Sequence, residues 1–210
     1  MRDIIIYGAA YGGTLKLIEA INHHQPAINV LGYVDDLKNG KEEAFMGYPV
    51  LGGCDALREY SQSSVEVLNN VYGTTAARKV IADRVQEAGF RLVTLIAPAV
   101  DQAYATIGCG CLVMSGVDIG VNVILKDHVS VKMNAVISHD SELDAYCFVG
   151  PGAVVCGHVH IGEGAYIGAG ALIRERRRIG AWSTIGMGAV VTKDVARGTT
   201  VYGNPACEKA

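Results

Sequence analysis

Charge is scarce in this chain. Only 19% of its 210 residues are Asp, Glu, Lys or Arg, and the formal net charge is −3, below the charged fraction usual for soluble domains. No global electrostatic case therefore exists for nucleic acid or an anionic membrane as partner. Long apolar runs are missing as well, since no stretch approaches the roughly 18 residues that a bilayer span demands. The opening MRDIIIYGAAYGG has one early Arg and a short apolar run before its glycines, which does not match a secretory leader. The expectation is a cytoplasmic protein without membrane insertion. Cys-x-x-Cys pairs are absent among Cys54, Cys109, Cys111, Cys147, Cys156 and Cys207, and Cys109-Gly110-Cys111 has no histidines at zinc spacing. These cysteines read as small buried thiols in a reducing compartment. Glycine, by contrast, is plentiful at 26 residues, beside a hydrophobic content of 50%. That combination favours tightly turning β-structure, and the length allows one large domain or two modest ones.

Residues 1–97 alternate between strand and helix patterns. DIIIYG reads as a buried strand, and TLKLIEAIN as an amphipathic helix with Leu15, Ile18 and Ile21 at helical spacing. INVLGYVDD reads as a second strand ending in two acids. SVEVLNNVYG reads as a strand, TTAARKVIADRVQEAG as a helix stopped by Gly89, and FRLVTLIAP as a last strand stopped by Pro98. Such alternation argues for a parallel sheet with covering helices. The turn after the first strand is Gly8-Ala9-Ala10-Tyr11-Gly12-Gly13. Backbone amides and a helix dipole at such a turn can hold phosphate, but Ala10 breaks the clean G-x-G-x-x-G pattern, so a plain tight turn is also open. Asp35-Asp36 ends the second strand, where an acid can grip a sugar hydroxyl or serve only as a cap or turn acid. Gly73-Thr74-Thr75 reaches the same sheet edge, and a ligand is expected in that crevice.

After Ile107 the period becomes six. Every sixth residue from Ile107 to Val191 is Ile, Val or Leu, fifteen times without insertion. Four places after each comes a small residue or Val, from Cys111 to Val195, with Arg177 the exception. Gly follows the aliphatic at 108, 120, 150, 162, 168, 180 and 186, and is read as helping the turn. This is the hexapeptide pattern of a parallel β-helix. Three short strands make one triangular coil of eighteen residues, the aliphatic fills the prism, and fifteen hexads make five coils that each cover only their neighbours.

The chain resembles the bacterial sugar O- or N-acyltransferases of the sialic acid O-acetyltransferase-like group. These join a small Rossmann-like nucleotide-sugar domain to a left-handed β-helix. IIIYGAAYGG, YVDD, SHD, GEGAYIGAGALI, GAVVTKDV and GNPA carry the resemblance, which spans nearly the whole chain. It implies a Rossmann-like domain over 1–97 and a left-handed β-helix with tail over 98–210. It also implies a homotrimer with acetyl-CoA bound between adjacent prisms, and no metal. Residue by residue, it implies nucleotide-sugar contacts at Ala10, Tyr11, Gly12, Asp35, Asp36 and Gly73. Acetyl-CoA contacts map to Phe148, Ala169 and Met187. The chain departs from the pattern at three places: many members have Gly-His in place of Tyr11-Gly12, some have a His in place of Phe148, and a Pro-Gly turn is usual in place of the Arg174–Arg178 segment.

His139 and Asp140 take the third and fourth places of the hexad starting at Ile137, near a corner and so outside the prism. Gly157 falls one coil above His139, roughly 4.8 Å away, leaving room for a ligand and a free N–H. Imidazole suits removal of a proton from an attacking amine or hydroxyl near neutral pH, a neighbouring carboxylate can hold its tautomer, and an N–H can stabilise an oxyanion. The resemblance implies those roles for His139, Asp140 and Gly157. The plain alternative is a solvated corner His beside a turn Asp. His158, above Asp140, is either a hydrogen-bond partner or solvated; His128 and His160 read as surface histidines. Arg174, Arg176, Arg177 and Arg178 read as a solvated, bulged corner or as a contact to a CoA phosphate.

The leading function is acetyl-CoA-dependent N-acetylation of a nucleotide-linked 4-amino-4,6-dideoxy sugar. Sugar O-acetylation, a zinc lyase of the carbonic anhydrase-like type and a non-catalytic nucleotide-sugar-binding trimer are the alternatives. The zinc reading needs three convergent His ligands, and no third is apparent beside His139 and His158.

Overall fold

The computed structural model describes residues 1–25, 27–41, 43–71 and 73–208, and its contacts divide the chain into two compact units, Met1–Leu95 and Ile96–Ala210. Tyr72, inside the stretch read as a strand, lies outside the described residues. Among the described residues no helix is long and apolar enough to cross a membrane.

The first unit contains β1 (Arg2–Tyr7), α1 (Gly13–His24), β2 (Ile28–Val34), β3 (Ala44–Phe45), β4 (Tyr48–Gly52), β5 (Val65–Asn69) and α2 (Thr75–Glu87). The sheet order is β3-β4-β2-β1-β5, parallel except for the β3–β4 hairpin. β1 runs between two parallel neighbours, and Ile4, Ile5 and Ile6 are fully buried. A strand covered on both faces has no reason to alternate, hence its unbroken apolar run. Thr74 caps α2 by accepting from the Ala77 amide at 3.1 Å, and Gly89 ends it at φ +84°. The hairpin escaped sequence reading. Its Phe45 and Tyr48 set their rings edge-on to the buried Tyr33, at centroid distances of 5.2 and 6.5 Å. FRLVTLIAP is not a full last strand: only Leu92 bridges to Val67, and the two-residue strand Leu95–Ile96 stands at the junction of the units.

The second unit is a parallel β-helix of two-residue strands in three ladders, the third ending in the three-residue Thr200–Tyr202. One face stacks Asp118–Ile119, Val136–Ile137, Val154–Val155, Leu172–Ile173 and Val190–Val191, each paired with the strand eighteen residues on. The second face runs from Thr106–Ile107 to Arg178–Ile179, and the third from Leu112–Val113 through Thr184–Ile185 to Thr200–Tyr202. The inward aliphatics from Val113 to Val191 are all buried, and Ile107 in the first coil is half-buried.

The corners have a different cause from the one the glycine pattern suggested. The fourth residue of successive hexads is left-handed, at Gly110, Gly116, Asn122, His128, Asn134, Asp140, Tyr146, Gly152, His158 and onward. That position makes the turn, and Gly, Asn and Asp tolerate it best. The glycines that follow the aliphatics are needed for coil-to-coil approach instead: a Cβ on Gly120 would lie 2.6 Å from the His139 nitrogen, and one on Gly150 the same distance from the Ala169 nitrogen.

Other expectations need correcting. Only Cys111 and Cys147 are buried, at small-residue positions of the hexad, whereas Cys109 and Cys207 are exposed; all six thiols are free. His128 is buried rather than superficial, stacked on Tyr146 of the next coil at 4.8 Å. His160 is half-buried, with Nε2 3.1 Å from Asp144. The arginine segment does not bulge, because Arg178 and Ile179 keep the eighteen-residue register against His160 and Ile161.

Candidate active site

The edge after Val136–Ile137 holds His139 and Asp140. Asp140 takes φ +55°, which turns the chain and throws both side chains outward. His139 Nδ1 lies 2.8 Å from Asp140 Oδ2. Beside an ionised Asp140, the tautomer of a neutral imidazole that suits this contact has its proton on Nδ1 and a lone pair on Nε2. Asn122, one coil below, donates from Nδ2 to the other carboxylate oxygen at 3.1 Å, so one oxygen is fixed from below and the other faces the imidazole. These two bonds, from His139 first and then Asn122, hold the Asp140 carboxyl below its usual range. Sequence reasoning missed Asn122, whose signal was an Asn eighteen residues before the Asp.

One coil above, Gly157 makes room for the ring: a Cβ there would lie 2.7 Å from both Cε1 and Nε2 of His139. Among the described residues nothing accepts the Gly157 amide hydrogen, while its carbonyl accepts from the Arg176 amide at 3.0 Å. His158 sets its ring edge-on to His139, centroids 5.2 Å apart, with Nε2 3.8 Å from Asp140 Oδ2. That distance exceeds a hydrogen bond. His139, Asp140 and His158 also offer donor atoms that all lie within 4.8 Å of one another, so Asp140 is the third group that the zinc reading lacked, though a carboxylate in place of an imidazole. Glu142, Asp144 and His160 form a similar group, but the Lys126 ammonium already lies 2.7 Å from Glu142 and 2.6 Å from Asp144.

Phe148, Ala169 and Met187 lie away from this edge. Phe148 is on the third face, stacked flat on Tyr166 at 4.8 Å. Ala169 and Met187 follow the strands Tyr166–Ile167 and Thr184–Ile185 at a different corner, with Met187 79% exposed. One prism therefore keeps them apart from His139.

In the first unit, Tyr7, Gly8, Ala10, Asp35, Asp36, Leu37, Val71, Ala77, Val80, Ile81 and Arg84 line a cleft of about 410 Å³. It includes three of the six residues expected to contact nucleotide sugar. Gly12 instead sits at the start of α1, beneath Met46, and Gly73 has open space around it at φ +132°. The Tyr11 ring packs over Gly13. The two acids differ in task. Buried Asp35 accepts from the Ala9 amide at 2.8 Å and from Leu37 and Lys38, tying the turn after β1 to the end of β2. Asp36 accepts from the Tyr7 hydroxyl at 2.7 Å, the Cys54 amide at 2.8 Å and Arg84 at 3.2 Å. Burial pushes the Asp36 carboxyl up, but those partners outweigh it and hold it below the usual range, while burial and the bond to Asp36 push the Tyr7 phenol up. Asn70, also missed, donates to the Gly8 and Tyr11 carbonyls at 2.9 and 3.0 Å and bonds Thr14, stapling the turn from within.

The family described as bacterial transferase hexapeptide (six repeats) matches residues 140–175 and 158–193. The acetyltransferase domain of PglB from Neisseria gonorrhoeae, solved in complex with acetyl coenzyme A, is 32% identical, with a TM-score of 0.88 over 99% of each chain. PerB from Caulobacter crescentus, solved with CoA and GDP-perosamine, is 28% identical, with a TM-score of 0.86 over 100% of this chain and 98% of that one. WeeI from Acinetobacter baumannii is 25% identical, with a TM-score of 0.86 over 100% of both chains. A search of curated protein sequences found no match.

Proposed function

Since the chain belongs to the bacterial hexapeptide-repeat acetyltransferases, we propose that it moves the acetyl group of acetyl-CoA to the amine of a nucleotide-linked amino sugar of the 4-amino-4,6-dideoxy type. The observation that carries this reading is the 2.8 Å His139–Asp140 pair beneath Gly157, in a chain matched from end to end by an acetyltransferase holding its donor. The amine attacks the thioester carbonyl, and His139 Nε2 takes the proton released. Asp140 keeps Nδ1 protonated and stabilises the imidazolium, and the Gly157 N–H faces the developing oxyanion. Collapse of the tetrahedral adduct breaks the carbon–sulfur bond, and His139 returns its proton to the CoA thiolate. An amine is favoured over a hydroxyl because GDP-perosamine occupies a relative described as an N-acetyltransferase.

In this reading the first unit is a Rossmann-like nucleotide-sugar domain. Its cleft beside Ala10, Asp35 and Asp36 takes the nucleotide sugar, with Tyr11, Gly12 and Gly73 at the rim. An α1 N-terminus with no side-chain cap and no acid in its first turn suits phosphate. The separation of Phe148, Ala169 and Met187 from His139 within one prism supports a homotrimer in which neighbouring copies share each acetyl-CoA; left-handed coils and a cytoplasmic place of work complete the same proposal.

The test is thiol release from acetyl-CoA with GDP-, UDP- and dTDP-linked amino sugars. His139→Ala is expected to lower kcat by about 10²- to 10⁴-fold. Undiminished activity in that variant would remove the mechanism, and no turnover with any amino sugar would remove the substrate class.

A further inference from the structure

Arg176 places a charge on the edge that bears His139, at a position ill suited to it. It takes φ +60° at a corner where Gly152, Gly164, Gly170 and Gly188 occur elsewhere in the stack, and a long side chain is disfavoured there. Packing offsets that cost at several other bulky corner residues, though not at the exposed and uncharged Tyr104. His128 and Tyr146 stack on one another, the Trp182 ring covers Gly164, and His158 meets His139 edge-on. Arg176 is exposed, and among the described residues no hydrogen bond, ion pair or ring contact engages its guanidinium. The acids around it are engaged elsewhere: Glu175 by Arg174 at 3.2 Å, and Asp194 by Arg177 at 3.3 Å and the Arg178 amide at 3.1 Å.

Its place along the edge is fixed by the register. The Arg176 amide bonds the Gly157 carbonyl, and the His158 amide bonds the His139 carbonyl. Arg176 therefore stands two coils above Asp140, about 10 Å at one strand spacing per coil. In the other direction the same column offers Asn122 and Tyr104, neither of them charged. Acetyl-CoA has matching polarity: a reacting thioester, then an uncharged pantetheine arm, then the diphosphate and 3′-phosphate. The guanidinium is the side chain best shaped for phosphate oxygens.

We propose that Arg176 anchors a phosphate of coenzyme A, with the arm running up this edge from a thioester at His139. The proposal rests on the acetyl-CoA reading above. Arg176→Gly and Arg176→Asn both suit the left-handed corner, so both fold, and Arg176→Gly melts no lower than the parent. Titration calorimetry with CoA is expected to show about tenfold weaker binding in both variants, as expected for loss of a charge-assisted bond. KM for acetyl-CoA rises in parallel, while kcat/KM for acetyl-pantetheine, which lacks the phosphates, matches the parent. Unchanged CoA affinity overturns the proposal and leaves acetyl transfer standing, as does an equal loss with acetyl-pantetheine. A rise confined to KM for the nucleotide sugar assigns Arg176 to that diphosphate and also overturns it. A parent protein that neither binds CoA nor releases thiol overturns both readings together.

Discussion

Gly157→Ala adds one methyl group at the point where the His139 ring passes the coil above it. The new Cβ would lie 2.7 Å from Cε1 and Nε2, whereas carbon contacts settle at about 3.5–4.0 Å. The ring must therefore retreat by about 1 Å. That movement stretches the 2.8 Å bond between Nδ1 and Asp140 beyond the roughly 3.2 Å limit of a good hydrogen bond, and turns Nε2 away from the carbonyl it serves. A misplacement of this size costs on the order of 10²-fold in rate. Stability should move the other way. Gly157 is not left-handed, so Ala is compatible with its backbone, and the lost freedom of the unfolded chain contributes roughly 0.4–1 kcal/mol. The His139 side chain is 55% exposed, so it has solvent to move into. Thiol-release kinetics and a thermal melt on the same preparation read both effects. A variant with parental kcat would show that Gly157 does not position the base. A variant that melts well below the parent would show that the glycine is there for the stack.

Two further outcomes follow from the same geometry. Burial pushes the Cys111 and Cys147 thiols up to about 12, so alkylation of the native protein at neutral pH should label the exposed Cys109 and Cys207 quickly and reach Cys111 and Cys147 only after unfolding; rapid native labelling of Cys147 counts against the packed prism. Asp36 has a lowered folded-state pKa, so its stabilisation is present above the unfolded value of about 4 and disappears as pH falls through the folded one. Asp36→Asn should lower the melting temperature at neutral pH and approach the parent in acid; a gap that ignores pH would mean that the ionised carboxylate contributes nothing.

The β-helix was legible because its rule is written in one residue per hexad: an inward aliphatic has no substitute, and from Val113 to Val191 all are buried. The corners were less legible. Their left-handed position is filled by Tyr146, Arg176 and Trp182 as well as by Gly and Asn, so no residue type marks it. His128 was misread because its cover, Tyr146, comes from the next coil, and a lone His in a string gives no hint of that ring. His139, Asp140 and Gly157 could be brought together on paper by adding eighteen. In the α/β unit no such arithmetic exists. Tyr7 and Arg84 reach Asp36 from 29 and 48 positions away, and Asn70 reaches Gly8 from 62. Nothing local in the chain announces those partners.

Strand pairs on the face that carries His139 all join residues eighteen apart. The entropy of closing each loop is then nearly the same at every step, so order can grow layer by layer, as a crystal face does, and fray inward from the two ends. On that face His139 follows a strand with one neighbour beneath it and three in succession above. The base is open to solvent through its side chain while its backbone lies inside the stack, one layer in from the end of its face. A site carried on a mobile loop must trade access against order; here the two are set by different parts of the same residue.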